Sequence, residues 1–129
     1  MLFRSTTEGF KDALTGVMTP WIFYESAQRL RSWASRSHQQ LSLIAIELDG
    51  SHDENFVRSV REIESEMRGG DLVARMSVET LVVMLVGDVT AADHVIQRLD
   101  EKIRPRPRFR KIELEEQMEL AVALDALAI

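Results

Sequence analysis

The chain has no cysteine. That absence removes disulfides, thiolate zinc sites and cysteine nucleophiles, and it fits a reducing compartment. Histidine is nearly as scarce. His38, His52 and His94 show no metal-ligand spacing, so few histidines supply no arguable Ser–His–Asp set, and each reads as a surface residue. A basic excess is missing too. The net charge of −5 is not that of a protein built to coat nucleic acid or an anionic membrane. No apolar run approaches the roughly 20 residues that span a bilayer; the longest are Leu43–Ile46 and Leu81–Val86. The start, Met1-Leu2-Phe3-Arg4 running into Ser5-Thr6-Thr7-Glu8-Gly9, lacks the pattern of a signal peptide. Internal repeats, linkers and low-complexity tracts are also lacking. The expectation is a cytoplasmic protein with neither membrane nor nucleic acid as partner.

What remains is ordinary for a globular domain. Hydrophobic residues make up 45% and charged residues 29%, enough for a core and against disorder. The length of 129 residues suits one domain over 1–129.

Thr19-Pro20 predicts a helix start, with Thr19 as N-cap and Pro20 at the first helical position. Phe23, Ala27, Leu30 and Ala34 then give one apolar face. Leu41 to Leu48 is a short apolar run that predicts a buried strand. Phe56, Val60, Ile63 and Met67 mark a second amphipathic helix, stopped by Gly69-Gly70. Asp71 to Met76 and Leu81 to Val86 predict a hairpin. Thr90-Ala91-Ala92-Asp93 resembles a capping box ahead of Val95, Ile96, Leu99 and Ile103, and Arg104-Pro105-Arg106-Pro107 ends that helix. Phe109 to Leu114 and Met118 to Leu124 are expected as two further strands, although the second is rich in good helix formers. The central order is then β-α-β-β-α-β, a ferredoxin-like α+β pattern. Right-handed crossovers place both connecting helices on one face of an antiparallel sheet.

That topology alone says little about function. The motifs say more. Asp12-Ala13-Leu14-Thr15-Gly16-Val17 with Phe23 resembles the D-x-L-T-G-L…F opening of GGDEF (diguanylate cyclase) domains, departing at Thr19-Pro20-Trp21, where Asn-Arg-Arg is usual. Ile46-Glu47-Leu48-Asp49 is similar to the family's I-D-[LI]-D strand, with Glu47 in place of the first Asp. Asp71-Leu72-Val73-Ala74-Arg75 is similar to the D-x-x-A-R ahead of the signature turn. On that register the GGDEF pentad falls on Ser77-Val78-Glu79-Thr80-Leu81, and Val82 to Gly87 matches the strand that follows. The family's stretch after its metal strand is shortened here, with His52-Asp53 or Asn55 as its remnant. Its last helix and final strand have no counterpart. The resemblance implies a nucleotide-cyclase-type sheet with helices on its faces, lacking that last helix.

A diguanylate cyclase joins two GTP molecules held by facing protomers, with metal ions on the phosphates. The signature glycines allow close backbone approach because they have no Cβ. Ser77 and Val78 replace them, and β-branched Val78 resists the positive φ of tight turns. The resemblance therefore implies a protein that is not an enzyme. Glu47 and Glu79 keep the acidic metal positions, so they are a vestigial pair for Mg²⁺, set beside the plainer reading of two solvated glutamates. Arg68 and Asp71 match the family's inhibitory R-x-x-D site, nine residues ahead of Ser77. Arginine suits a bidentate grip on phosphate or a guanine edge, and a carboxylate accepts from guanine donors. The plainer reading is an arginine closing a helix, then a Gly-Gly-Asp turn.

Two functions are thus expected: a non-catalytic signalling domain that receives cyclic-di-GMP at Arg68 and Asp71, or a protein-interaction module with no nucleotide site. A residual cyclase and a fragment without its own role are the minor alternatives. The shortened fold also predicts exposed apolar sheet surface, and hence a homodimer or protein partner. The basic stretch Arg104, Arg106, Arg108, Arg110 and Lys111 reads as a solvated connection, and Trp21 and Trp33 as packing residues.

Overall fold

The computed structural model describes residues 11–49 and 54–129. Eight elements follow one another: α1 (Pro20–Arg36), β1 (Leu41–Glu47), α2 (Glu54–Ser65), β2 (Leu72–Arg75), β3 (Thr80–Val86), α3 (Val89–Lys102), β4 (Arg108–Leu114) and α4 (Leu120–Ala126). The strands form one antiparallel sheet in the order β2-β3-β1-β4. The β-α-β-β-α-β centre expected from the sequence is therefore present.

Alternation along β1 explains the layers. Ile44 and Ile46 point to one face, where they meet Phe56, Val60 and Ile63 of α2 and Ala92, Val95 and Leu99 of α3. Leu41, Leu43 and Ala45 point to the other, against Phe23, Ala27 and Ala34 of α1 and Leu120, Ala123 and Leu124 of α4. A strand buried on both faces has no use for polar positions, which is why LSLIAIE reads as a continuous apolar run. Its one polar residue before the terminal Glu47 is Ser42, fully buried, whose hydroxyl donates to the Gly87 carbonyl at 2.9 Å.

Local signals set the helix ends. Thr19 is the N-cap of α1 and Pro20 its first residue, as expected. The helix stops in a six-to-one closure, with the Gln39 N–H donating to Ala34 O at 2.9 Å and His38 left-handed at φ 56°. For α3 the cap is Asp88, not the Thr90 box: its carboxylate accepts from the Ala91 N–H at 2.9 Å. Helix α2 ends at Ser65, ahead of the glycine pair.

The last element corrects a larger expectation. Met118–Leu124 is not a strand: Leu120–Ala126 forms a seven-residue helix. Leu120, Ala123, Leu124 and Leu127 recur at helical spacing and are all buried. The Arg31 guanidinium on α1 fixes the approach to this helix by donating to the carbonyls of Glu115, Glu116 and Met118. The sheet face expected to stand open is therefore covered by α1 and α4.

The two sheet edges differ. At the β2 edge, Met18 docks alongside: its N–H donates to Val73 O at 3.2 Å and its carbonyl accepts from Arg75 N at 2.9 Å. Among the described residues, β4 pairs with β1 alone. No described helix is long and apolar enough to cross a membrane.

Candidate functional site

The motif residues gather around the β2–β3 hairpin. Asp12-Ala13-Leu14-Thr15-Gly16 folds into a closed turn in which Asp12 N donates to Val17 O and Gly16 N to Asp12 O, each at 2.7 Å. Gly16 has φ 79°, a left-handed conformation that glycine adopts without strain. The Asp12 carboxylate accepts from the Thr15 amide at 2.9 Å and the Thr15 hydroxyl at 2.7 Å. Arg75, at the end of β2, completes the group: its Nη1 lies 3.1 Å from Asp12 Oδ2. Its Nη2 donates to Val78 O at 2.6 Å, and its guanidinium lies 4.6 Å from the Phe56 ring centroid. Desolvation alone raises the Asp12 pKa, but the Thr15 and Arg75 hydrogen bonds outweigh it and hold the carboxyl below the usual range.

The hairpin turn carries the pentad positions. Met76 N and Ser77 N both donate to Thr80 O, at 2.8 and 3.3 Å. Ser77, Val78 and Glu79 are exposed. Val78 thus projects from the tip, and its carbonyl is taken by Arg75.

Glu47 and Glu79 come to the same end of the sheet. Glu47 pairs with Thr80 in the β1–β3 register, and Leu48 N donates to Glu79 O at 2.8 Å. The Glu47 carboxylate does not stand free, however. The β1–β4 register sets Arg108 opposite it, and the two form an ion pair. Among the described residues no group of three or more His, Asp or Glu side chains is placed to hold a metal ion. Arg108 thus competes with a cation for one of the two carboxylates of the expected Mg²⁺ pair.

Arg68 and Asp71 lie at the other end of β2. The Asp71 carboxylate accepts from Arg68 N at 2.8 Å through one oxygen and from Val86 N at 2.9 Å through the other. It ties the loop after α2 to the end of β3. Arg68 is exposed, and its guanidinium has no hydrogen-bond or ion-pair partner among the described residues. The sequence reading missed the structural work of Asp71 because its partners are backbone groups. His52-Asp53 lies outside the described residues, while Asn55 sits in the first turn of α2, its side chain accepting from Arg58 at 3.3 Å. His38 and His94 are exposed, as expected. Neither of two surface clefts includes Glu47, Arg68, Asp71 or Glu79. One, of about 530 Å³, lies between Leu14 and α2; the other, of about 940 Å³, lies between α1 and the β4–α4 turn.

The sequence matches no protein-family model and no curated protein. Solved structures do match its fold. The diguanylate cyclase SiaD from Pseudomonas aeruginosa, solved with its activator SiaC, aligns with a TM-score of 0.78 at 20% identity over 98% of this chain and 60% of that one. The coiled-coil and GGDEF portion of DgcB from Caulobacter crescentus, in complex with c-di-GMP, aligns at 0.80 with 10% identity over 96% of this chain and 79% of that one. The S helix–GGDEF–EAL portion of Vibrio cholerae LapD, bound to c-di-GMP, aligns at 0.79 with 11% identity over 98% of this chain. The chain spans only 60% of the SiaD chain and 34% of the LapD chain. At these identities the likeness is one of architecture: the chain has the fold seen in these GGDEF domains.

Proposed function

We propose that this protein is a non-catalytic GGDEF-fold regulatory domain that receives cyclic-di-GMP at Arg68 and Asp71. The observation that carries the non-catalytic part is the Glu47–Arg108 ion pair. A cation at the acidic strand end competes with a guanidinium for one Glu47 oxygen. The hairpin tip adds to this, because Ser77 and Val78 put side chains where a phosphate needs bare backbone. Support for the receptor part is the exposed Arg68 guanidinium three residues ahead of a carboxylate already fixed by two N–H donors. Two hydrogen bonds leave a carboxylate with further lone pairs, so a guanine edge finds an oriented acceptor there. DgcB and LapD, with the same architecture, were solved with c-di-GMP.

The test has two arms. Incubation with GTP and Mg²⁺ is expected to yield no cyclic dinucleotide; product whose formation needs Glu79 overturns the non-catalytic reading. Calorimetric titration with cyclic-di-GMP is expected to give heat that Arg68→Ala removes.

A second reading is favoured by α1. Trp21 is 59% exposed and Tyr24, three residues on, is 40% exposed, a pair of aromatics suited to a protein contact. SiaD was solved with a protein activator. Under this reading the domain is an interaction module, and Trp21→Ala weakens partner capture while the dinucleotide titration stays silent.

A further inference from the structure

Strand β4 is seven residues long and lies at the edge of the sheet. The opposite edge is covered by Met18, but among the described residues no backbone pairs with the outer side of β4. Such an edge is a template for another strand. Its charges are ordered along the chain. Arg108, Arg110 and Lys111 occupy the first part, and Glu113, Glu115 and Glu116 occupy the end and the exit. The Glu113 carboxylate has no hydrogen-bond or ion-pair partner among the described residues, although Glu113 is half-buried.

We infer that β4 is a self-complementary edge, along which two copies of this chain pair antiparallel about a two-fold axis through Ile112. Antiparallel neighbours carry side chains of the same face opposite each other, so the axis of a symmetric pair passes through a residue. With the axis at Ile112, Lys111 of each copy faces Glu113 of the other and Arg110 faces Leu114. Moving the axis to Lys111 or to Glu113 sets like charges directly opposite, which destabilises a ladder. Charge order therefore selects one register. Lys111 already binds Asp93 of α3, and Arg108 binds Glu47. In the pair Lys111 is shared between its own Asp93 and Glu113 of the second copy, while Arg108 keeps Glu47. Arg110 stays anchored by donating to Leu127 O at 2.7 Å. Among the described residues the joined sheet has eight strands, twice the four of one copy.

Sedimentation of the full chain tests this. The wild type is expected to be a dimer in the micromolar range. Lys111→Glu and Glu113→Lys each weaken association by about tenfold, since each dimer holds the pair twice. The double variant Lys111→Glu/Glu113→Lys restores it, and circular dichroism checks that all three fold. The chain has no cysteine, so Ile112→Cys supplies the only thiol. Directly opposite residues have Cα atoms about 4.5–5.5 Å apart, within disulfide reach. Mild oxidation is expected to cross-link this variant into a covalent dimer. A monomeric wild type, a dimer indifferent to both reversals, or a dimer that Ile112→Cys leaves uncross-linked overturns the inference.

Discussion

Arg75 and Asp12 are joined by an ion pair at 3.1 Å, with the Arg75 side chain 11% exposed and that of Asp12 21%. The pair connects two motifs far apart in sequence, the Asp12–Gly16 turn and the end of β2. Through Val78 O and Phe56 the same guanidinium also holds the hairpin tip and α2. The geometry of the β2–β3 turn thus depends on a residue outside it.

Removing either residue takes the ion pair away from a partly buried group that other contacts still hold in place. Arg75→Ala and Asp12→Ala are each expected to destabilise the domain by about 2–4 kcal/mol in urea unfolding. Arg75→Lys should recover only part of the loss, because an ammonium cannot serve Asp12, Val78 and the Phe56 face at once.

The pair also predicts an acid dependence. Asp12 has a lower pKa in the folded protein than an ordinary aspartate. A carboxyl with a depressed folded value contributes stability above its unfolded pKa and loses it as pH falls through the folded one. Unfolding measured from pH 6 down to pH 2 should show stability falling mainly below about pH 4. Asp12→Asn should flatten that part of the curve while leaving the neutral region's slope unchanged.

Gly87 has no room for a side chain. A Cβ there meets Ala91 Cβ at 2.8 Å, and its φ is 157°. Gly87→Ala should cost about 1–3 kcal/mol in thermal or urea unfolding. Adding Ala91→Gly removes the collision and should return part of that loss.

Position 38 works the other way. His38 takes the left-handed position after α1 that glycine normally fills. His38→Gly should stabilise the domain by about 0.5–1 kcal/mol, a gain limited by glycine's greater unfolded freedom. A rise in the urea midpoint with an unchanged slope is the expected signature.

Asp71 and Arg68 are not equivalent probes of the proposed site. Asp71→Ala orphans the Arg68 and Val86 N–H groups and should cost about 1–3 kcal/mol in stability. Arg68→Ala removes an exposed guanidinium and should leave stability within about 0.5 kcal/mol of the wild type.

Much of this fold was legible in the chain because apolar spacing is a local signal. Phe23, Ala27 and Ala34, or Phe56, Val60 and Ile63, declare a helical face wherever the helix docks. Met118–Leu124 was misjudged because seven residues hold both a weak alternation and a helical repeat. The burial of Leu120, Ala123 and Leu124 on the sheet decides between them. At the site, the motif residues Asp12 and Arg75 could be singled out by resemblance, but their contact could not, since it depends on how the turn docks on β2. The pairing of Glu47 with Arg108 was further out of reach. It follows from the β1–β4 register, and Arg108 itself had looked like part of a solvated basic connection.

The most direct test of the central claim is a calorimetric titration of cyclic-di-GMP into the wild type and Arg68→Ala, side by side. The account predicts micromolar binding by the wild type, weakened at least about tenfold, or 1.4 kcal/mol, in the variant. No heat with the wild type, or equal affinity in both proteins, would contradict it.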